Sequence, residues 1–135
     1  MKKFVIALLL AVLAAGAASS EYNLNFAIFN QSGTKFMRVY LSPSWKENFD
    51  RQGDLVTNSK GNPTTVANED YEIINLENLK GDYRESAVWD LYVVCADGRE
   101  KLCRKINLSE VAAVVIYRDL SFETFTARQL RNMLN

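Results

Sequence analysis

No histidine occurs in the 135 residues, and that limits the chemistry the chain can do. Histidine is the usual general base near neutral pH, a usual zinc and copper ligand, and the partner that activates serine and cysteine nucleophiles. What remains is carboxylate chemistry and two cysteines, Cys95 and Cys103. Asp50, Asp54, Glu69, Asp70 and Asp82 fall in polar, turn-rich stretches. None belongs to the spaced acidic loop, with its glycine and distal glutamate, that a calcium hand requires, so they read as solvated loop charge. A pair of them could serve glycoside cleavage, but many domains would satisfy so loose a criterion. Without histidine, and with only two cysteines, no tetrahedral zinc site can be assembled from the soft ligands that zinc prefers, and the expectation is a protein with no metal and no cofactor.

Residues suited to binding lie in "YLSPSW". Tyr40, Ser42, Ser44 and Trp45 at the mouth of a long polar loop would make an aromatic edge with hydroxyls, fit for a glycan or a peptide. The alternative is that Trp45 folds back to cap the core, which the frequency of buried tryptophan in small sandwiches favours.

The elements that would position these residues read as strands. "YNLNFAIF" alternates, with Tyr22, Leu24, Phe26 and Ile28 on one face, and "NQSG" supplies turn residues before "TKFMRVYLS", so the two runs predict a hairpin. "YEIINL", "AVWDLYVVCA", "REKLCRKINL" and "VAAVVIYR" are rich in β-branched and aromatic residues and predict four more strands, with "TTV" at 64–66 a short extra one. Between the second and third strands, "SPSWKENFDRQGDLVTNSKGNP" predicts a long surface loop, and 77–86 a shorter one. In the C-terminal "SFETFTARQLRNMLN", Phe125, Leu130, Met133 and Leu134 fit a short amphipathic helix capped by Thr126, although Leu120, Phe122 and Phe125 would equally extend a strand. Six to seven short strands without βα alternation predict an all-β fold, a small two-layer antiparallel β-sandwich of immunoglobulin-like type with a short C-terminal helix.

The cysteines flank "ADG". Asp-Gly is favoured in two-residue type I′ hairpin turns, where both central residues take positive φ. With Asp97 and Gly98 as that loop, Trp89 faces Ile106, Asp90 faces Lys105 and Val93 faces Leu102, while Arg104 opposite Leu91 is the one poor fit. Cys95 then joins the inner row with Trp89, Leu91 and Val93. Cys103 lies opposite Tyr92 on the outer face, the more reactive of the two thiols. A disulfide needs Cα atoms within about 7 Å and convergent side chains. This register therefore predicts Cys95 and Cys103 unpaired with each other, against the habit of exported proteins of bonding a lone cysteine pair.

The order "YLSPSW", "WDLYVVCADG", "KINLSEV" resembles a widespread family of small exported bacterial β-sandwich proteins of unknown function. Its members carry a tyrosine-rich strand ending in Ser-Pro-Ser, a Cys-x-x-Asp-Leu strand, an Asp-Gly hairpin turn and a closing Asn-Leu-Cys-Glu. The resemblance implies a sandwich over most of the mature chain and brings no activity with it. It also implies that the family's cysteines correspond to Ala87 or a neighbour and to Ser109, so that the usual cross-strand bridge is missing here.

The N-terminus reads as an export signal over residues 1–20: Lys2 and Lys3, an apolar run from Phe4 to Ala15, then small residues. The run is short for a permanent membrane span, which needs roughly 20 residues. The single domain would occupy 21–135. Sixteen basic and sixteen acidic residues become 14 and 16 once Lys2 and Lys3 are removed, a net charge of −2. That gives no footprint for nucleic acid, and no stable membrane insertion is expected after signal cleavage. The expected protein is a periplasmic or secreted, non-enzymatic binding or envelope-associated module whose partner is a protein or glycan. The alternatives are a carboxylate-dependent hydrolase of envelope polysaccharide and a hydrolase inhibitor.

Overall fold

A computed structural model describes residues 25–50, 52–58, 60–76, 79 and 86–133. The export signal at 1–20, Tyr22, Leu24, Asp82 and Leu134 lie outside the described residues. Seven strands and one helix follow in order: β1 (Asn25–Gln31), β2 (Phe36–Pro43), β3 (Tyr71–Asn75), β4 (Val88–Cys95), β5 (Glu100–Asn107), β6 (Val111–Tyr117), β7 (Phe122–Thr126) and α1 (Ala127–Met133). They form a small all-β sandwich of two sheets, with strand orders β3-β1-β6-β7 and β2-β4-β5.

β1 and β2 are not a hairpin pair; each lies in a different sheet. The reason is in "NFAIFNQ", which is apolar on both faces rather than alternating. Phe26 and Ile28 enter the core between the sheets, whereas Ala27 and Phe29 pack on the opposite side with Leu130 of α1. A strand buried on both faces belongs in the middle of a sheet. β1 accordingly pairs antiparallel with β3 and parallel with β6, the one parallel pair among the described strands. The intervening turn crosses between layers, tied by the buried Asn30 side chain. Its amide nitrogen donates to the carbonyls of Thr34 (2.7 Å) and Val66 (2.9 Å), and its oxygen accepts from the Ser32 hydroxyl (2.6 Å).

The long connection from β2 to β3 runs back along the free edge of β2. Leu55 N–H donates to the Val39 carbonyl (2.8 Å), and the Asp54 carboxylate accepts from the Val39 N–H (3.1 Å) and the Val56 N–H (3.0 Å). Val66 makes an isolated antiparallel bridge to Phe36, which is what the stretch "TTV" contributes. This cover satisfies backbone groups that an open edge would expose to another chain.

The β4–β5 hairpin departs by one residue from the predicted register. Its loop has three residues, Ala96, Asp97 and Gly98, closed by Cys95 N–H to the Arg99 carbonyl (2.8 Å), with Gly98 at φ +91°. Val93 therefore faces Lys101, Tyr92 faces Leu102 and Leu91 faces Cys103. A bulge then restores the predicted pairing of Trp89 with Ile106. Arg104 and Lys105 together stand opposite Asp90, with Lys105 at φ +58°. The bulge removes the poor fit of Arg104 against Leu91, because Cys103 takes that inward place. Cys103 is thus on the core face, fully buried, and not on the outer face beside Tyr92.

At the C-terminus both readings hold in succession. β7 pairs antiparallel with β6, and the helix starts where Thr126 and Gln129 form a reciprocal cap, Gln129 N–H donating to Thr126 Oγ1 (3.1 Å) and Thr126 N–H to Gln129 Oε1 (2.8 Å). α1 covers the outer face of the four-stranded sheet through Leu130, which is buried, while Met133 is exposed.

Candidate binding face

The two outer faces of the sandwich differ. One lies under α1; among the described elements, no helix packs on the outer face of β2-β4-β5. There Tyr40 of β2 and Tyr92 of β4 stand side by side in register, their ring centroids 6.0 Å apart. Phe49, from the loop after β2, adds a third ring 5.7 Å from Tyr92. A hydrogen bond with Glu100, then burial, raises the Tyr92 hydroxyl above its ordinary pKa, so it stays protonated at physiological pH.

The loop after β2 is held to this face from below. Ser44 N–H donates to the Val88 carbonyl (3.1 Å), and Lys46 N–H returns to the Pro43 carbonyl (3.0 Å) in a tight turn that leaves Glu47 at φ +47°. The Ser42 hydroxyl is buried and accepts from the Asn48 N–H (2.7 Å). The Ser44 hydroxyl donates to Asp90 Oδ1 (2.7 Å). Ser42 and Ser44 therefore shape the loop rather than face a ligand. The result is a preorganised turn with Trp45 at its tip. Trp45 does not fold back onto the core: its side chain is 64% exposed, with Lys46 Nζ 4.7 Å from the ring centroid. The buried tryptophan of the sandwich is Trp89, whose indole N–H donates to the Ser86 carbonyl (2.8 Å).

Asp90 is what the sequence reading missed. It points outward from β4 yet is only 1% exposed, beneath the loop and beside the bulge. Its Oδ1 accepts from Ser44 and from the Lys105 N–H (3.0 Å) that the bulge turns toward it. Its Oδ2 has no hydrogen-bond partner among the described residues. Arg104 Nη1 is 3.5 Å from that oxygen and instead bonds Glu47 Oε1 at 3.0 Å. An aspartate in the outward register of an otherwise apolar strand was the available signal. Pairing it with the Lys105 side chain concealed its role, because it is the Lys105 backbone that it holds.

No family model matches the chain, and no curated protein matches it significantly. Among solved structures, the NMR structure of a protein from Eubacterium rectale aligns over 81% of this chain and 91% of its own, at 11% identity and a TM-score of 0.46.

A concavity of about 320 Å³ opens away from this face, beside the edge strand β3, lined by Asp54, Leu55, Glu72, Ile73 and Leu79 among others. Burial, and then the nearby Asp70, raise the Glu72 carboxyl above the usual range. Asp54 faces the same space, but its Oδ1 is committed to two backbone N–H groups. Asp70 accepts from its neighbour's N–H at Tyr71 (2.8 Å). Among the described residues no three metal-ligating side chains gather. Both thiols are free and face the core, with Cys103 pushed up to about 12 by burial and Cys95 raised by the same cause.

Proposed function

We propose that this chain is an exported, non-enzymatic β-sandwich that binds a carbohydrate chain on the outer face of β2-β4-β5. The observation that supports this is the exposed Trp45 at the tip of a pinned turn that follows β2, the strand whose outer face sets Tyr40 next to Tyr92, with Phe49 against Tyr92. Rigid aromatic side chains held out in water lose little entropy on binding and dominate binding energies where they occur. An extended peptide would add to a sheet through backbone hydrogen bonds. The β2 edge next to these rings is already bonded at Val39 by Asp54 and Leu55 and at Phe36 by Val66, so a ligand there is held by side chains. Sugar rings present apolar C–H faces that stack on such rings. The proposal of export to the periplasm or outside the cell rests on the leader-like sequence of residues 1–20.

The test is a calorimetric titration of the mature protein with β-1,4-linked glucose, β-1,4-linked N-acetylglucosamine and α-1,4-linked glucose hexasaccharides, a readout that does not depend on Trp45 fluorescence. Binding to at least one hexasaccharide that Trp45→Ala abolishes is expected. Absence of binding to all three overturns the reading.

The concavity at Asp54 and Glu72 favours a second reading, a carboxylate-dependent hydrolase. Turnover of a polysaccharide abolished by Glu72→Gln, with the thermal midpoint unchanged, would establish it in place of the first.

A further inference from the structure

We propose that Asp90 and Arg104 form a subsite reading neighbouring hydroxyl groups of a neutral sugar ring stacked on Trp45. This rests on the carbohydrate reading of the face and assigns the chemical class of its ligand.

The subsite starts from an unfilled acceptor. Asp90 is nearly enclosed, and a buried carboxylate oxygen without a hydrogen bond is costly compared with one that has a donor. Oδ1 is saturated by Ser44 and the Lys105 N–H, which fix the plane of the carboxylate. Oδ2 is left facing Arg104 Nη1 at 3.5 Å, a charge contact without a hydrogen bond. Arg104 is held instead by Glu47, two residues beyond Trp45 on the same turn.

Arg104 is the movable part. Its side chain is 55% exposed and that of Glu47 is 61% exposed. Ion pairs in such positions contribute little and rearrange easily. Oδ2 is itself enclosed, so a ligand entering over Trp45 reaches this fixed acceptor only as Arg104 moves off it, and the two groups and the Trp45 ring are joined by a few residues of chain. Ser44, the neighbour of Trp45, bonds Asp90 directly.

The charges around Trp45 select the ligand class. A cationic ligand would suit Asp90 and Glu47 but meet Arg104 and the Lys46 ammonium at 4.7 Å from the Trp45 ring. An anionic ligand would suit Arg104 and Lys46 but meet Asp90 and Glu47. A hydroxyl is both donor and acceptor. One hydroxyl can donate to Asp90 Oδ2 while its neighbour accepts from Arg104, with no net charge brought to a site of mixed sign.

The experiment repeats the hexasaccharide titrations with Arg104→Gln, Asp90→Asn and Glu47→Gln, and adds heparin and polylysine as charged probes. Arg104→Gln and Asp90→Asn are expected to weaken the hexasaccharide bound by the parent about ten-fold or more, the loss of one charge-assisted hydrogen bond. Glu47→Gln, which frees Arg104, is expected to keep or tighten binding. Arg104 is exposed, so its variant decides the matter if Asp90→Asn does not fold. Trp45-dependent hexasaccharide binding unchanged by Arg104→Gln overturns the subsite and leaves the carbohydrate reading intact. Binding of heparin or polylysine with no hexasaccharide bound overturns both.

Discussion

Cys103 stands opposite Leu91 on the core face of the β4–β5 hairpin, fully enclosed. Cys95 is four positions beyond Leu91 along β4, about 13 Å at the rise of a strand. Disulfide geometry allows roughly 7 Å between Cα atoms. Buried thiols of this kind behave as small hydrophobes. Native protein is therefore expected to leave both cysteines unlabelled by maleimide, and unfolded protein to label both. Labelling of Cys103 in the native state at the rate of an exposed thiol would contradict its inward register.

The same burial makes stability depend on alkaline pH. The Cys103 thiol is raised from 9.0 to about 12 in the folded chain. A raised acid is held in its protonated form by folding, so its contribution is complete below pH 9 and is lost as pH climbs toward 12. The slope is about 1.4 kcal/mol per pH unit for one such group. Tyr117, raised from 10.0 to about 12 by burial and then by its bond to Glu123, adds a second loss that starts one unit later. Urea unfolding is expected to show stability falling from pH 9, and Cys103→Ala to reduce the fall between 9 and 10, the rest of which belongs to Cys95, whose thiol burial also raises. An unchanged pH profile in that variant would exclude Cys103 as the source.

Strand content was legible because β-branched and aromatic runs separated by turn residues have few other solutions. The β1–β2 error came from reading "NFAIF" as alternating when all four apolar residues are buried, on two different faces. Periodicity cannot distinguish a half-buried strand interrupted by one small residue from a central strand. The hairpin error came from one residue of loop length. Asp-Gly serves a two-residue turn or the last two places of a three-residue turn, and the bulge at Arg104 and Lys105 hides the difference beyond it. Tyr40 and Trp45 were visible by composition. Asp90 and Arg104 were not, since their relation depends on that bulge.

Gly98 tests the three-residue loop. At φ +91° it occupies a conformation that L-residues avoid, and nothing stands within 4 Å of the position a Cβ would take. The cost of a side chain is then purely a backbone cost, about 1–2 kcal/mol for an ordinary residue. Gly98→Val is expected to lower the thermal midpoint by roughly 5 °C or more, and Gly98→Asn by a fraction of that. Equal midpoints for the Val variant and the parent would mean that Gly98 does not hold positive φ in solution.

α1 is seven residues long, too short to persist in water by its own propensity. What retains it is the Thr126–Gln129 cap at one end and Leu130 pressed onto Ala27, Phe29, Ala113 and Val115. Leu130→Ala removes the main apolar anchor over the outer face of the four-stranded sheet. Its expected cost is about 2–4 kcal/mol, against about 1 kcal/mol for Thr126→Ala, which loses one capping bond. Ending the chain at Thr126 would uncover the same patch entirely. Exposed contiguous apolar surface drives association, so the truncated chain is expected to elute as dimers or larger species in size-exclusion chromatography. The single substitution Tyr92→Ala, on the uncapped face, is expected to remain in the oligomeric state of the parent. A monodisperse truncated chain with parental stability in urea would show that α1 contributes nothing to covering the sandwich.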